Sequence, residues 1–407
     1  MSSIDIRNFV DVNIVRRVPS TISGTRDTAI LFTDEARLDG HDDPITEEFL
    51  VTSKTEAQNL FEDVLPHTYQ YCEIYFNNGG KRLAIYTNID ADESVSDNRT
   101  LAMKMQDKLK DISNDYICVA YAPVAAWSDT VTNTMLELAD RLSENNGIDQ
   151  KIVFARTNQT AKIEISYTID PSATSPITKT VSSIATKNFA VKYAEDRDLT
   201  DAIDDGLGVE MSMLAYLSKI NVYTIDSVYD YMFTIEKVKA QDQLTDADYK
   251  DIIKNNYNVD ITLANEIRNC GGNCTNSEDL VNEFVLIVLQ QTITNVVVDA
   301  LAKKLKNQSG INTIYSVVNA ELEKYKNSGY LTTDKIWHYD DLYYTWNGID
   351  YLIIQKGTPL QNGYFVKILP YSGLNEDEKI ERKAPPVYII IAEQYGIRKI
   401  QIEGEAF

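Results

Sequence analysis

Histidine occurs three times in 407 residues and cysteine four times, which removes much of the chemistry that enzymes of this size draw on. His41, His67 and His338 lie far apart in sequence. No phosphate-binding G-x-x-x-x-G-K-[ST], no G-x-S-x-G elbow and no H-E-x-x-H helix is present. Gly206 and Gly208 form a lone G-x-G, read here as a helix-entry turn, and acidic pairs such as Asp204-Asp205 read as solvated loops. Cys72 and Cys118 sit in apolar stretches and read as buried thiols. Cys270 and Cys274 frame a glycine turn, and a metal centre there lacks two ligands. No catalytic, cofactor-binding or metal-ligating residue is assigned, no cofactor is expected, and the chain reads as a non-enzyme.

Positive charge is also in short supply. Against 61 acidic residues stand 39 Lys and Arg, a formal charge of -22, and such a surface repels nucleic-acid phosphates. Direct binding of nucleic acid is therefore not expected. The longest apolar stretch, Phe284–Leu289 continuing through Val296–Val298, is interrupted by Gln290, Gln291, Thr292, Asn295 and Asp299. It reads as a core helix, with no insertion into a membrane. The start, Met-Ser-Ser-Ile-Asp-Ile-Arg, lacks the basic and apolar regions of a signal peptide, so folding in a reducing cytoplasm is expected.

What is present is a regular alternation of strand and helix patterns. The length asks for two or three domains. Thr28–Phe32, Arg82–Tyr86, Tyr116–Ala122, Lys151–Arg156 and Phe189–Tyr193 read as strands, with helices over Thr52–Leu60, Leu101–Leu109, Val131–Leu142 and Glu210–Leu217. Cys72–Phe76 also alternates and reads as a strand before the turn Asn77-Asn78-Gly79-Gly80. The pattern predicts an α/β layer with a largely parallel sheet. Gln159–Thr180 breaks the rhythm and reads as an inserted hairpin or loop. Ser277–Tyr330 is helical, with Gly310 expected to separate two helices, and Leu342–Trp346, Tyr351–Ile354, Tyr364–Ile368 and Val387–Ala392 are strands. The expected organisation is a terminal arm over 1–19, an α/β domain over 20–240 with its insert near 159–180, a second domain over 241–395 and a closing arm over 396–407. Within the second domain, helices fill 277–330 and strands 340–392.

The two ends carry the most distinctive pattern. Ile4, Ile6, Val10, Val12 and Ile14 share one face of a period-two strand, and Ile400 and Ile402 repeat it near Ala406. Chain ends ordinarily fray unless something ties them down. An amphipathic terminal strand is tied either within its own chain or by adding to the sheet edge of another copy. Composition leaves both open.

Order of motifs then adds a resemblance. Asp11–Arg16 with Thr28–Phe32, Phe49–Glu56 with Leu60-Phe61, Tyr75–Gly80, Ala190–Tyr193, Gly206–Gly208 and Leu217–Asn221 occur in sequence. Ser277–Gln291, Asn307–Tyr315, Asn327–Leu331, Ala384–Val387 and Gly396–Ile402 follow. This succession resembles the contractile-tail sheath family of bacteriophages and related injection machines. No glycine-rich stretch precedes the C-terminal helices, where Asn269–Cys274 stands instead.

The resemblance implies a multi-domain sheath-like fold, α/β (α+β) in class, with extended terminal strand arms. It also implies a structural subunit forming stacked six-fold rings around an inner tail tube and contracting to drive the tube through a cell envelope. Its partners would be other copies of itself, the tube protein, and baseplate and tail-terminator proteins. Its place would be a virion tail assembled in the host cytoplasm and serving genome ejection. The arms would meet on a neighbour's C-terminal domain, and Lys303, Lys304 and Lys306 are candidates to face an acidic tube. Those lysines also suit the negative end of a helix dipole. The alternatives are the sheath of a bacterial injection particle or bacteriocin and, in another class, a tail-associated surface-binding module.

Overall fold

The structure is a computed structural model describing residues 12–14, 28–38, 44–90, 98–111, 116–125, 127–143, 151–173, 175–194, 208–223, 234–236, 238, 240–302, 307–380 and 385–393. The chain divides into two compact units. Ser23–Asn221 and Met232–Gln291 make up most of the first; Ile6–Ile22, Val222–Tyr231 and Thr292–Phe407 make up the second.

β1 (Val12–Ile14) belongs to the second unit. The first opens with β2 (Thr28–Thr33), the short pair β3 (Arg37–Leu38) and β4 (Pro44–Ile45), and β5 (Glu48–Val51). Then come α1 (Lys54–Phe61), α2 (Pro66–Asn77), β6 (Arg82–Tyr86), α3 (Leu101–Asp111), β7 (Cys118–Ala122), α4 (Asp129–Ser143) and β8 (Ile152–Thr157). A hairpin of β9 (Glu164–Thr168) and β10 (Thr178–Ser182) precedes β11 (Phe189–Tyr193), α5 (Glu210–Lys219) and α6 (Asp246–Lys254). β12 (Asn258–Leu263), β13 (Glu266–Cys270) and the start of α7 (Leu280–Ala302) complete the unit.

Eight of these strands form one sheet in the order β13-β12-β11-β8-β7-β2-β6-β5. The six from β12 to β6 are parallel, and β13 and β5 close the two ends antiparallel. The parallel sheet expected from the alternation is present, and β7, β8 and β11 near its centre are buried throughout, as in a sheet covered on both faces. Local chemistry sets the helix starts. Ser53 caps α1 by accepting the Glu56 N–H at 3.2 Å, and the Glu56 carboxylate returns to the Thr52 N–H at 2.8 Å. Thr245 caps α6 in the same way through the Asp248 N–H.

Three expectations change. Cys72–Phe76 lies in α2, not in a strand: Pro66 opens the helix and Thr68, Tyr71, Cys72 and Tyr75 form its buried stripe. The turn Asn77–Gly80 therefore joins a helix to β6. The first unit extends past the expected 240/241 boundary to Gln291, because β12 and β13 add to its sheet. Gly310 lies inside α8 (Asn307–Asn327), so it does not end a helix.

The insert over 159–180 is an antiparallel hairpin, pairing Thr178–Ser182 with Glu164–Thr168. It is anchored on α4. Arg141 donates to the carbonyls of Thr168 and Ile169 at 2.9 and 3.0 Å, and Tyr167 donates to Asp140 at 2.7 Å.

In the second unit, α8 is followed by β14 (Lys335–Ile336), β15 (Leu342–Trp346), β16 (Ile349–Ile354), β17 (Pro359–Leu360), β18 (Tyr364–Ile368), α9 (Glu376–Ile380) and β19 (Val387–Ile391). β15 and β16 form a hairpin whose two-residue turn places Asn347 and Gly348 at positive φ, as the twist of a tight hairpin demands. Trp337, Trp346, Ile353, Leu360, Tyr388 and Ile390 form its core. α7 is long and apolar enough to cross a membrane, but 78% of its most apolar window, Leu280–Val297, is buried within the protein.

Candidate assembly surface

The terminal-strand pattern leads to a three-stranded sheet in the second unit, ordered β1-β19-β18. β19 (Val-Tyr-Ile-Ile-Ile) is buried along its whole length. β18 pairs with it antiparallel from Tyr364↔Ile391 to Ile368↔Val387. β1 lies on the other side, parallel, with Val12↔Val387, Asn13↔Tyr388 and Ile14↔Ile389. Strands this far apart in sequence meet because β19 is apolar on both sides and needs two partners for its backbone groups.

β18 is a terminal strand of that sheet, on the side of β19 away from β1. Beside it lies a groove of about 280 Å³, lined by Tyr315 and Asn319 of α8 and by Gln361, Asn362, Tyr364 and Phe365. Tyr364 donates to Glu323 at 2.8 Å and Lys326 donates to Asn362 at 2.8 Å, which braces β18 against α8. Burial, reinforced by Glu323, pushes the Tyr364 phenol well above the ordinary tyrosine range. Gly363 starts β18 with φ +77°, where a Cβ would lie 2.7 Å from the Leu331 Cβ and 3.0 Å from the Thr332 carbonyl oxygen. Its own carbonyl accepts the Ala392 N–H at 2.7 Å.

A second knot holds α8. Tyr223 donates to Glu321 at 3.1 Å and stacks on Tyr325 with ring centres 5.8 Å apart. Lys324 lies 2.5 Å from Glu321 and 5.5 Å from the centre of the Tyr223 ring. The hydrogen bond to Glu321 raises the Lys324 pKa, and burial raises that of Tyr325.

Of the residues singled out in the sequence, Val12 and Ile14 stand in β1, paired within their own chain. Ile4, Ile6, Val10, Lys303, Lys304, Lys306, Ile400, Ile402 and Ala406 lie outside the described residues.

In the first unit, β6 and β7 follow β2 in chain order but flank it on opposite sides, a reversal that in open α/β sheets marks the ligand crevice. Here the chain's own carboxylates occupy its rim. Asp34 accepts the Val124 N–H at 2.8 Å; Glu35 accepts the Thr68 N–H at 2.7 Å and the His67 N–H at 3.2 Å, at the start of α2. Further along the same sheet are charges the sequence reading passed over: Arg156 on β8, Lys192 on β11, Asp260 on β12 and Glu210 on α5, none more than 2% exposed. Arg156 donates to the Tyr71 hydroxyl at 2.6 Å, and its guanidinium carbon lies 4.5 Å from the Trp127 ring centre. A lone charge inside an apolar strand (Phe-Ala-Val-Lys-Tyr, Asn-Val-Asp-Ile) was the available signal.

Comparison with solved structures places the fold. A chain of the anti-feeding prophage (AFP) baseplate, 6-fold symmetrised, aligns over 100% of both chains with a TM-score of 0.61 and 13% identity. The AFP helical sheath in its contracted state aligns over 98% of both at 0.59, also at 13% identity. The contracted PVC sheath complex of an extracellular contractile injection system covers 97% of this chain and 95% of its own at 0.55 and 13%. No protein-family model and no curated protein matches the sequence. The chain has the fold of contractile-sheath proteins along nearly its whole length, and the α/β class expected from the sequence stands.

Proposed function

We propose that this chain is the structural subunit of a contractile sheath. The observation that carries the reading is the alignment of nearly the entire chain, both units included, with sheath chains at TM-scores of 0.55 and 0.59. Copies stack as six-fold rings around an inner tube. Contraction shortens and widens the stack and drives the tube through a target envelope. The energy is stored at assembly in many small interfaces of a bistable lattice, so neither nucleotide nor cofactor is required, and the subunit is not an enzyme.

β1 and the closing arm are the links between copies. In the single chain β1 lies on its own β19; in the lattice the arm of one copy takes that place on the next, and Ile400 and Ile402 of a further copy add to the terminal strand β18. Each backbone hydrogen bond is worth about 1 kcal/mol net, so an arm of several residues contributes a few kcal/mol at every node. Lys303, Lys304 and Lys306 are proposed to face the tube, and baseplate and tail-terminator proteins to bound the stack. The particle is assembled in the cytoplasm of its host.

Two kinds of particle fit this subunit, a bacteriophage tail and an injection particle. The similar structures above come from the anti-feeding prophage and an extracellular contractile injection system, which favours the second. The test is co-production with the cognate tube protein. Sheathed tubes in electron micrographs are expected, and tubes that stay bare at all ratios of the two proteins would overturn the reading.

A further inference from the structure

We propose that Lys192 and Asp260 join through an intramolecular isopeptide bond. Both side chains belong to the first unit and are 0% and 2% exposed. Lys192 Nζ lies 2.7 Å from Asp260 Oδ2, on neighbouring parallel strands. It is fixed there by a second contact, 2.7 Å to Ser212 Oγ, and the Ser212 hydroxyl is committed to the Val209 carbonyl. The amine is thus held as an acceptor-bound nucleophile against one oxygen of the acid. Asp260 Oδ1 has no hydrogen-bond partner, and neither Glu210 oxygen has one from another described residue.

An ion pair is a poor explanation of this arrangement. Taking two charges out of water costs more than their attraction returns unless their remaining hydrogen-bonding positions are filled, and here they are not. Burial instead drives the group toward neutrality: it lowers the Lys192 pKa and raises those of Asp260 and Glu210. The neutral amine and neutral acid are the reacting forms of amide synthesis, and a desolvated lysine is an activated nucleophile. Orientation in a rigid sheet replaces the entropy that makes amide formation between free molecules slow.

The step balances without any further reactant. The Lys192 Nζ lone pair attacks Asp260 Cγ, forming the N–C bond. One Nζ proton passes to the departing Asp260 hydroxyl. The C–O bond breaks, one water leaves, and the amide joins Nζ to Cγ. Glu210, which opens α5 two residues before Ser212, has Arg156 Nε 3.9 Å from its carboxylate. The bond would strengthen a thin seam: β11 is registered with β8 through five residue pairs but with β12 through two.

The full-length chain, purified and denatured, is weighed by intact-mass spectrometry and then digested with trypsin. The expected result is a mass lower than the sequence mass by one water, with a branched peptide joining the segments that contain Lys192 and Asp260. Lys192→Met, which keeps the reach of the side chain and removes the amine, is expected to have the full mass of its own sequence while retaining the wild-type circular dichroism spectrum. A wild-type chain at the full sequence mass, or a missing water that maps to other residues, would overturn the proposal.

Discussion

Val12 stands opposite Val387 in a parallel ladder, so a residue near the start of the chain lies beside the last described strand. Among the described residues three pairs hold β1 in this place. A terminal strand at the edge of a sheet can be exchanged for an identical strand from another copy, which is how domain swapping links subunits.

Cysteines placed at both positions, Val12→Cys with Val387→Cys, test that exchange. The four native cysteines are buried, and burial pushes the thiols of Cys72 and Cys118 far above their ordinary value, so they compete little. The unassembled variant should form an intrachain disulfide. Assembled from tagged and untagged copies, it should form mixed disulfide dimers under oxidation. Intrachain bonds alone in the assembled material would argue against exchanged arms.

Gly363 sets the start of the terminal strand. Gly363→Ala forces a Cβ against Leu331 and Thr332 at positive φ, at a cost of about 1–3 kcal/mol. Urea unfolding should shift accordingly, and assembly should weaken because β18 loses its register with β19. Unchanged stability would mean that the turn relaxes freely.

Arg141 holds the inserted hairpin. Arg141→Ala removes charge-assisted bonds to two carbonyls and to Glu137, each worth about 1.5–3 kcal/mol. Amide exchange should accelerate in Glu164–Ser182 and stay slow in β8 and β11. Because the insert lies outside the main sheet, the sheet itself should remain intact.

Tyrosine sets the alkaline limit. Burial raises the phenols of Tyr71, Tyr86, Tyr121, Tyr249, Tyr257 and Tyr325 above the ordinary value of 10.0. Above that pH the unfolded chain releases these protons and the folded chain keeps them. The folded state therefore binds more protons, and stability must fall as pH rises. Thermal melts across this range should show the loss, and phenolate absorbance should rise in two stages, exposed tyrosines first and buried ones together with unfolding. A single stage near the ordinary value, with the fold intact, would contradict the burial.

Much of this architecture is legible in the sequence, for identifiable reasons. Leu342–Trp346 and Tyr364–Ile368 are strands with the expected bounds, because alternation and turn residues both mark them. Cys72–Phe76 misled because a five-residue window cannot separate period two from a helical stripe that begins at Thr68; Pro66 was the better signal. The charges on β8, β11 and β12 escaped because a lone charge in an apolar strand shows no partner in sequence until parallel strands bring Lys192 to Asp260. The junction of β1 with β19 was open from composition, since an amphipathic arm fits any sheet edge with an apolar face.

The most direct measurement is electron microscopy of the concentrated full-length chain, with and without the tube protein, beside a variant lacking residues 1–14. The account predicts hollow cylinders or stacked six-fold rings from the full chain, and their loss in the truncated one. A full chain that remains a monodisperse small particle in both conditions would contradict it.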